Sequence, residues 1–277
     1  MTAVSTIGRY EVESQIAQGG MGLIFLARDP YIQRHVVIKV LMVSHLLEDV
    51  YRDFFHREAE LIASLEHPCI VPVYDFGWNG EQPYIVMRYM AGGTLEDRLK
   101  QGELKHTEIA HIMKRVGEAL DAAHAKNIIH RDVKPSNILF DASGESFLSD
   151  FGIAKSQSIK DGDGSWVVGT PAYMSPEQVR DDKLDGRSDI YALGVTLYRL
   201  LTQELPFGGD TTSALIRAHE NTPIPDIRDV KANLPVIWQE VINKAMAKDP
   251  NDRYSTASEF ARDVSEVVSG RWYLRKL

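Results

Sequence analysis

The spacing of apolar residues changes character part-way along the chain. Before residue 90, five short segments are rich in β-branched and aromatic residues and therefore predict strands: RYEVESQIA, GLIFLARD, HVVIKVLMV, IVPVYDFGW and PYIVMRYM. Between them, EDVYRDFFHREAELIASL has apolar residues at helical spacing, among them Val50, Phe54, Leu61 and Leu65, and predicts a helix terminated by His67 and Pro68. The first part of the chain is therefore predicted to be a small β-rich lobe with one helix.

After Ala91–Gly93 the pattern becomes helical. One stripe at helical spacing consists of Ile109, Ile112, Met113, Val116, Ala119, Leu120 and Ala123. SDIYALGVTLYRLLT is apolar nearly all round, which predicts a buried helix; PVIWQEVINKAMA and TASEFARDVSEVV predict two more, the last capped by Ser255 or Thr256. We expect an α+β chain with a connector near residues 88–93 and a larger helical lobe, and ligands favour the cleft between lobes.

Composition narrows the class of protein. The chain has 277 residues, 44% of them hydrophobic and 25% charged, as in ordinary globular proteins. The net charge of −8 argues against a nucleic-acid partner. The single cysteine, Cys69, cannot form an intramolecular disulfide and indicates a cytoplasmic location, and no apolar run approaches the roughly 20 residues of a membrane span. The basic and aromatic tail, residues 271–277, is read as a solvated helix end rather than a membrane contact.

Residues suited to phosphate chemistry concentrate in IIHRDVKPSNILF, residues 128–140. Asp132 is placed to act as a general base toward a hydroxyl, and Lys134 to balance charge at a transferring group. Asn137 offers an uncharged oxygen ligand, and FLSDFGIAK adds the carboxylate of Asp150 at a strand end. This sparse set of oxygen ligands suits Mg²⁺.

Two features of the first lobe leave alternatives open. IAQGGMGLIFLA, residues 16–27, is either a glycine-rich loop that approaches a polyphosphate or an ordinary glycine hairpin. Lys39 is either a solvent-facing lysine on an edge strand or a buried cation with an acidic partner. Glu58 on the following helix is the candidate partner, and Glu60 is the competing acid.

Taken in order, these motifs resemble the eukaryotic-type protein kinases, in the bacterial part of their serine/threonine branch. The matching segments are the glycine loop, VVIK around Lys39, HRDVKPSN, DFG at 150–152, GTPAYMSPE at 169–177, RSDIYALG and DPNDRYS. The likeness covers residues from about 10 to 265. It implies a bilobal kinase domain over 10–270, with an N-lobe to about 90 and a C-lobe from about 91, after a lead of residues 1–9.

The resemblance also implies roles. It assigns catalysis to Lys39, Glu58, Arg131, Asp132, Lys134, Asn137, Asp150 and Thr170, and metal binding (Mg²⁺, with Mn²⁺ as a substitute) to Asn137 and Asp150. Nucleotide binding falls to Ile16, Ala17, Gln18, Gly19, Gly20, Met21, Gly22, Leu23, Ile24, Val37, Lys39, Met87, Arg88, Met90 and Leu139. It implies that His130 packs beneath Phe151, that Thr170 bridges Asp132 and Lys134, that the helix aspartate Asp189 is buried, and that Arg253 pairs with Glu177. The apolar residues on both sides of HRDVKPSN are expected to form short strands that hold this loop rigid.

The implied function is transfer of the γ-phosphoryl group of ATP to protein serine or threonine hydroxyls, including autophosphorylation. Family members also pair through their N-lobes, and bacterial ones are commonly joined to a membrane helix and a sensor. Three departures bear on nucleotide affinity: Ala17 stands for the first loop glycine, Val37 for an alanine and Arg88 for a residue that is often acidic. A pseudokinase that signals by binding alone is the main alternative.

Other patterns are weaker. The histidines are scattered, and Glu108 and His111 share a helix face without further metal ligands. KDGDGSWVV lacks the glycine and glutamate of a calcium loop. Within the segment after Asp150, a phosphate on Ser165 is expected to pair with Arg131, with Ser156 and Ser158 as less favoured sites. Alternatively, Asp161 or Asp163 supplies that charge constitutively.

Overall fold

The computed structural model describes residues 6–19, 22–42, 48–151, 159–160, 166–167, 170–209 and 211–272. Its internal contacts divide the chain into two compact units, with the division between Ala91 and Gly92. Among the helices of these described residues, none is long and apolar enough to cross a membrane.

The first unit is an antiparallel sheet with one helix. Its elements are β1 (Thr6–Ile7), β2 (Tyr10–Gly19), β3 (Gly22–Asp29), β4 (Arg34–Leu41), α1 (Glu48–Ala63), β5 (Val73–Asn79) and β6 (Gln82–Arg88). The strands are ordered β1-β2-β3-β4-β6-β5. The five predicted strands are confirmed. β4 lies inside the sheet, so the alternative that placed Lys39 on an edge strand is wrong.

Alternation along the strands gives this sheet two different faces. One face carries the core of the unit, which consists of Ile7, Tyr10, Phe25, Ala27, Val36, Ile38, Val40, Tyr84 and Val86. The other face carries Lys39, because side chains alternate along β4 and Val36, Ile38 and Val40 all point into the core. Lys39 is therefore half-buried on the face opposite to the core.

Helix α1 packs through a different set of residues from the one the sequence suggested. Its buried positions include Phe55, Ala59 and Ile62, and the Phe55 ring lies 5.5 Å from that of Trp78 on β5. Leu61 was expected on the apolar face, and this is wrong, since it is 47% exposed. The side chains of Val50 and Phe54 lie outside the described part of the structure.

The second unit is mainly helical. Its helices are α2 (Leu95–Gln101), α3 (His106–His124), α4 (Pro176–Val179), α5 (Gly186–Thr202), α6 (Thr212–Asn221), α7 (Ile227–Val230), α8 (Ile237–Ala245) and α9 (Ala257–Val268). Its strands form the hairpins β7 (Ile138–Phe140) with β8 (Ser146–Leu148), and β9 (Ile159–Lys160) with β10 (Trp166–Val167). Short 3₁₀ turns span Pro135–Asn137, Pro171–Tyr173 and Pro250–Asp252.

The core of this unit surrounds α5, which is buried from Ser188 to Thr202 at every position except Arg199. The predicted stripe of α3 is confirmed, with all seven of its residues buried. Helix α9 packs closely on α3, because a Cβ on Gly117 would lie 2.9 Å from the carbonyl oxygen of Ala257. Of the two predicted caps of α9, Thr256 is the one that accepts a hydrogen bond, from the amide of Glu259.

Candidate active site

A buried aspartate on α5 fixes the backbone of the loop between α3 and β7. Asp189 accepts hydrogen bonds from the backbone amides of His130 and Arg131, each at 2.8 Å. Arg131 has a φ of 65°, a left-handed conformation that costs energy for a residue with a side chain. The two bonds to Asp189 stabilise this conformation, so the loop takes its shape from a residue 58 positions later in the chain.

The same carboxylate pairs with His124 at the end of α3, at 2.7 Å from Nε2. Burial alone would raise the pKa of Asp189, but the hydrogen bond and charge of His124 hold it below its usual value. Burial alone would lower the pKa of His124, but Asp189 outweighs it and raises that pKa. Each of the two groups therefore favours the charged form of the other. Sequence reasoning missed His124, although a basic residue in the last turn of a helix is a recognisable signal.

The ring of His130 is fully buried and makes a hydrogen bond at each nitrogen. Nδ1 accepts from the amide of Asp132 at 3.2 Å, so the proton is on Nε2, which donates to the carbonyl of Ser149 at 2.8 Å. The ring centre lies 4.6 Å from that of Phe151, as the sequence predicted. His130 thus joins the loop to the segment that carries Asp150.

The structure brings Asp132, Lys134, Asn137 and Thr170 together. Lys134 Nζ lies 2.9 Å from Asp132 Oδ2 and donates to Thr170 Oγ1 at 2.5 Å. The Thr170 hydroxyl in turn donates to Asp132 Oδ1 at 3.2 Å. Asn137 Nδ2 donates to the Asp132 carbonyl at 2.8 Å and to Oδ2 at 3.0 Å. A buried carboxylate held by three donor side chains is pre-organised, which suits a group that must accept a proton in one direction.

The β7–β8 hairpin brings Asn137 and Asp150 to the same end of the two strands. Ile138 pairs with Leu148, and both the amide and the hydroxyl of Ser149 donate to the carbonyl of Asn137, at 2.9 and 3.0 Å. Asn137 uses Nδ2 for both of its bonds to Asp132, which leaves Oδ1 on the other side of the amide for another partner. An amide oxygen beside a carboxylate is a donor set that fits a small hard cation such as Mg²⁺.

One expectation about this loop is wrong. Strands were expected on both sides of it, but only Ile138–Phe140 forms one, while Ile128 and Ile129 have no regular structure. The segment before the loop is held by individual hydrogen bonds instead. The amide of Ile128 donates to the carbonyl of Ala123 at 3.0 Å, and the amide of His130 donates to the carboxylate of Asp189.

The predicted pair of Glu177 and Arg253 is confirmed as a buried ion pair. Arg253 donates from both Nη atoms to the two carboxylate oxygens, at 2.6 and 2.8 Å, and Ser188 adds a third bond at 2.7 Å. Burial raises the pKa of Glu177, but Arg253 and Ser188 outweigh it and hold the pKa below its usual value. The pair fixes α4, and with it the end of the segment that carries Thr170.

A second interaction holds the segment that carries Thr170, and no local sequence pattern predicts it. Arg199 donates to both carboxylate oxygens of Glu96, each at 2.8 Å, and to the hydroxyl of Tyr173 at 2.6 Å. Glu96 and Arg199 are 103 positions apart, so only the fold could reveal the pair. It anchors the turn Pro171–Tyr173, which directly follows Thr170, to α2 and α5.

In the first unit, the strand register places several of the expected nucleotide residues on one face. Ala17 lies opposite Ile24, Ile24 opposite Lys39, and Val37 opposite Met87. Directly opposite residues share a face, and Val37 and Lys39 share one along β4, so all five lie on the face opposite to the core. This surface is apolar apart from one cation, which is suited to a base or ribose with phosphates beyond it.

The remaining members of the set differ in position. The side chain of Leu23 packs on the core, so only its backbone is left for a ligand, and Gln18 lies opposite Leu23. A Cβ on Gly22 would collide with the carbonyl oxygen of Val40, which makes glycine necessary there for packing alone. Ile16 is exposed, Arg88 and Leu139 are half-buried and Met90 is buried, while Gly20 and Met21 lie outside the described residues.

Glu58 and Glu60 differ in how far their side chains are exposed. Glu60 is largely exposed and lies 3.3 Å from His56 on the same helix, whereas Glu58 is half-buried. This favours Glu58 over Glu60 as the acid available to another group. The pairing of Lys39 with Glu58 stays a prediction.

The described residues do not support the alternative of a metal site built on Glu108 and His111. Glu108 accepts from Arg98 at 2.9 Å, and His111 lies 3.0 Å from Glu145, so each has its own partner. No group of three or more histidine, cysteine or acidic residues in the described ranges could hold a metal ion. Asp161 and Asp163 of the calcium-loop segment and the candidate phosphorylation sites Ser156, Ser158 and Ser165 lie outside those ranges, so the regulatory prediction stays a prediction.

Comparisons with known proteins identify the same family that the sequence motifs resemble. A family model described as the protein kinase domain matches residues 10–269. The chain is 37% identical over 276 residues to the probable serine/threonine-protein kinase PknB of Bifidobacterium longum, and 38% identical over 259 residues to the serine/threonine-protein kinase PrkC of Bacillus subtilis. These alignments cover 95% and 93% of the chain but 40% of each relative. The chain thus spans about two fifths of the length of these curated relatives.

A solved structure shows the same fold. The crystal structure of the Mycobacterium tuberculosis PknI kinase domain aligns with a TM-score of 0.76 at 29% identity, and covers 94% of this chain and 97% of that one. The β-rich first unit and the helical second unit therefore correspond to the two lobes of that fold.

Proposed function

Because the chain belongs to the protein kinase domain family, we propose that it is a catalytic domain that transfers the γ-phosphoryl group of ATP to serine or threonine hydroxyls of proteins, itself included. The observation that carries this proposal is the cluster of Lys134, Asn137 and Thr170 around the buried carboxylate of Asp132. Its members are the groups that phosphoryl transfer requires: a proton acceptor, a cation and an oxygen ligand.

In the proposed reaction, the substrate hydroxyl oxygen forms a bond to the γ-phosphorus as the bond from that phosphorus to the bridging oxygen of ADP breaks. Asp132 orients the hydroxyl and accepts its proton. Lys134, 2.9 Å from the same carboxylate, offsets negative charge on the transferring group. Thr170 holds both side chains in position, and Arg131 is the proposed partner of a phosphate on the segment that follows Asp150.

The metal would be held by Asn137 and Asp150, whose oxygen donors fit Mg²⁺, and Mn²⁺ would replace it at the same ligands. When bound, the metal neutralises charge on the phosphates. In the first unit, the face formed by Ala17, Ile24, Val37, Lys39 and Met87 is proposed to bind the nucleotide, with Lys39 directed at the phosphates and Glu58 balancing its charge. Gly19, Gly20, Met21 and Gly22 are proposed to contact the phosphates through their backbone, as the glycine-rich loop of the family does.

We place the domain in the cytoplasm, on the strength of its one buried cysteine and the ATP that it would consume. Attachment to a membrane-anchored sensor and pairing of two chains through the first unit are extensions of the same proposal. Cell fractionation with an antibody against this domain tests the first, and sedimentation velocity over a range of concentrations tests the second.

The proposed function is tested by incubating the purified protein with γ-³²P-labelled ATP and Mg²⁺, alone and with a general protein acceptor. Label in acid-stable phosphoserine or phosphothreonine, dependent on the metal and mapped by mass spectrometry, supports it. Nucleotide binding without any transfer would leave a pseudokinase as the better account.

A further inference from the structure

The peptide bond that joins Arg131 to Asp132 is held at both of its polar ends. Its N–H, on Asp132, donates to His130 Nδ1 at 3.2 Å. Its C=O, on Arg131, accepts from the side-chain amide of Gln178 at 3.1 Å. Two such bonds fix the plane of a peptide, and this plane sets the direction in which Asp132 leaves the backbone.

Gln178 reaches this carbonyl from α4, 47 positions later in the chain. Its other amide atom belongs to a capping box: Oε1 accepts from the Ser175 amide at 3.0 Å and from the Ser175 hydroxyl at 3.2 Å. The orientation of the amide follows from its partners, since the Ser175 amide can only donate and the Arg131 carbonyl can only accept. One side chain therefore links the cap of α4 to the loop.

This link falls in the same segment as Thr170. The segment from Thr170 to Val179 meets the loop at two separate points, namely the Thr170 hydroxyl on the Asp132 carboxylate and the Gln178 amide on the Arg131 carbonyl. The carbonyl belongs to the residue with φ of 65°, so the bond also helps to offset the cost of that conformation.

We propose that Gln178 is a positioning residue for phosphoryl transfer: its Nε2 donor orients the Arg131–Asp132 peptide and so aims the Asp132 carboxylate. This inference rests on the proposed function, in which Asp132 is the base. Because Gln178 acts through the backbone of the loop and not on the nucleotide, its donor affects the rate of transfer and leaves the affinity for ATP unchanged.

The test uses Gln178→Glu, which keeps an oxygen for the Ser175 amide, as in the most common capping box, but puts a second oxygen against the Arg131 carbonyl. Gln178→Leu removes donor and acceptor without adding charge. We expect both variants to lower kcat about three- to tenfold, the value of one hydrogen bond, with KM for ATP within about twofold of wild type. Gln178→Leu should lower Tm more than Gln178→Glu, because it loses the cap as well as the bond to Arg131.

Ser175→Ala is the matched control, since it weakens the cap while leaving the Gln178 donor in place. It should lower Tm and keep the wild-type kcat. The inference is overturned if Gln178→Glu transfers phosphate at the wild-type rate, or if Ser175→Ala loses as much kcat as Gln178→Glu, which would make the role purely structural. A wild-type protein that transfers nothing would instead overturn the proposed function, and this inference with it.

Discussion

Replacing Asp189 by asparagine should make the second unit easier to unfold. It should also slow phosphotransfer, because Asp189 holds the loop that carries Asp132. The carboxylate is 1% exposed and accepts three hydrogen bonds of 2.7–2.8 Å, from two backbone amides and His124. Asparagine has one acceptor oxygen in place of two. Its amide would therefore face either the amide of His130 or that of Arg131, and that buried donor would lose its acceptor.

The magnitude follows from these bonds. A buried donor left without a partner costs about 1–3 kcal/mol, and breaking a buried ion pair by removing one partner costs about 3–5 kcal/mol. Because asparagine keeps one of the backbone bonds, we expect a loss near the overlap of these ranges, about 3 kcal/mol in the free energy of unfolding. For a unit of this size, this corresponds to a fall in Tm of about 6–12 °C.

The assay is calorimetric unfolding of wild type and Asp189→Asn across pH, together with phosphotransfer. His124 has a raised pKa, so its charge stabilises the fold fully below its unfolded value of about 6.5, and this contribution is lost as pH rises through the raised pKa. The difference in Tm between wild type and variant should therefore be larger at about pH 6 than at about pH 9.

The same substitution at Asp185, the cap of α5, is the control. That side chain is about half exposed and caps the helix through the amide of Arg187, a role that asparagine performs equally well. Asparagine loses only the exposed ion pair with the Arg187 side chain, so the change should stay within about 1 kcal/mol. A Tm shift for Asp189→Asn no larger than that of Asp185→Asn, or a difference independent of pH, would refute the reasoning.

Three further results are expected. Thr170→Val should lower kcat at least tenfold with little change in Tm, roughly the value of a charged hydrogen bond, while Thr170→Ser restores it; equal rates for both would contradict the bridging role. Arg253→Met should cost about 3–5 kcal/mol of stability, because it leaves Glu177 buried without its partner. Wild type should lose stability as acid protonates Glu177, whose pKa is lowered. Unfolding calorimetry checks both results, and a variant as stable as wild type would argue against the pair. Ala17→Gly should leave KM for ATP within about twofold, because Ala17 is exposed and has no positive φ, although the register of β2 shifts between Gln15 and Ala17; a large change would show that its methyl restrains the loop.

The elements that the sequence predicted well are those with a strong local pattern. The strands of the first unit are rich in β-branched and aromatic residues, α3 carries an apolar stripe at helical spacing, and α5 is apolar nearly all round, which predicts its burial. Leu61 was misplaced because α1 has apolar residues on more than one side, and only packing against Phe76 and Trp78 selects the face of Phe55.

Features that depend on distant pairing were out of reach. Whether the strand of Lys39 lay at an edge or inside the sheet depended on β6, which follows the intervening helix. The motifs indicated that Asp132, Lys134 and Asn137 act together, since they are neighbours in the chain. The bonds from Asp189 to the loop, from Arg199 to Glu96 and from Gln178 to Arg131 join residues 47 to 103 positions apart and leave no local pattern.

The central claim is that Asp132 takes the proton of the substrate hydroxyl while other groups bind the nucleotide. Its most direct test is to measure Mg²⁺–ATP binding by calorimetry and phosphotransfer by ³²P incorporation on the same preparation of Asp132→Asn. The account predicts ATP affinity near that of wild type and a kcat lower by about 10²–10⁴-fold, the usual contribution of a general base. Transfer at a near wild-type rate with binding intact would contradict it.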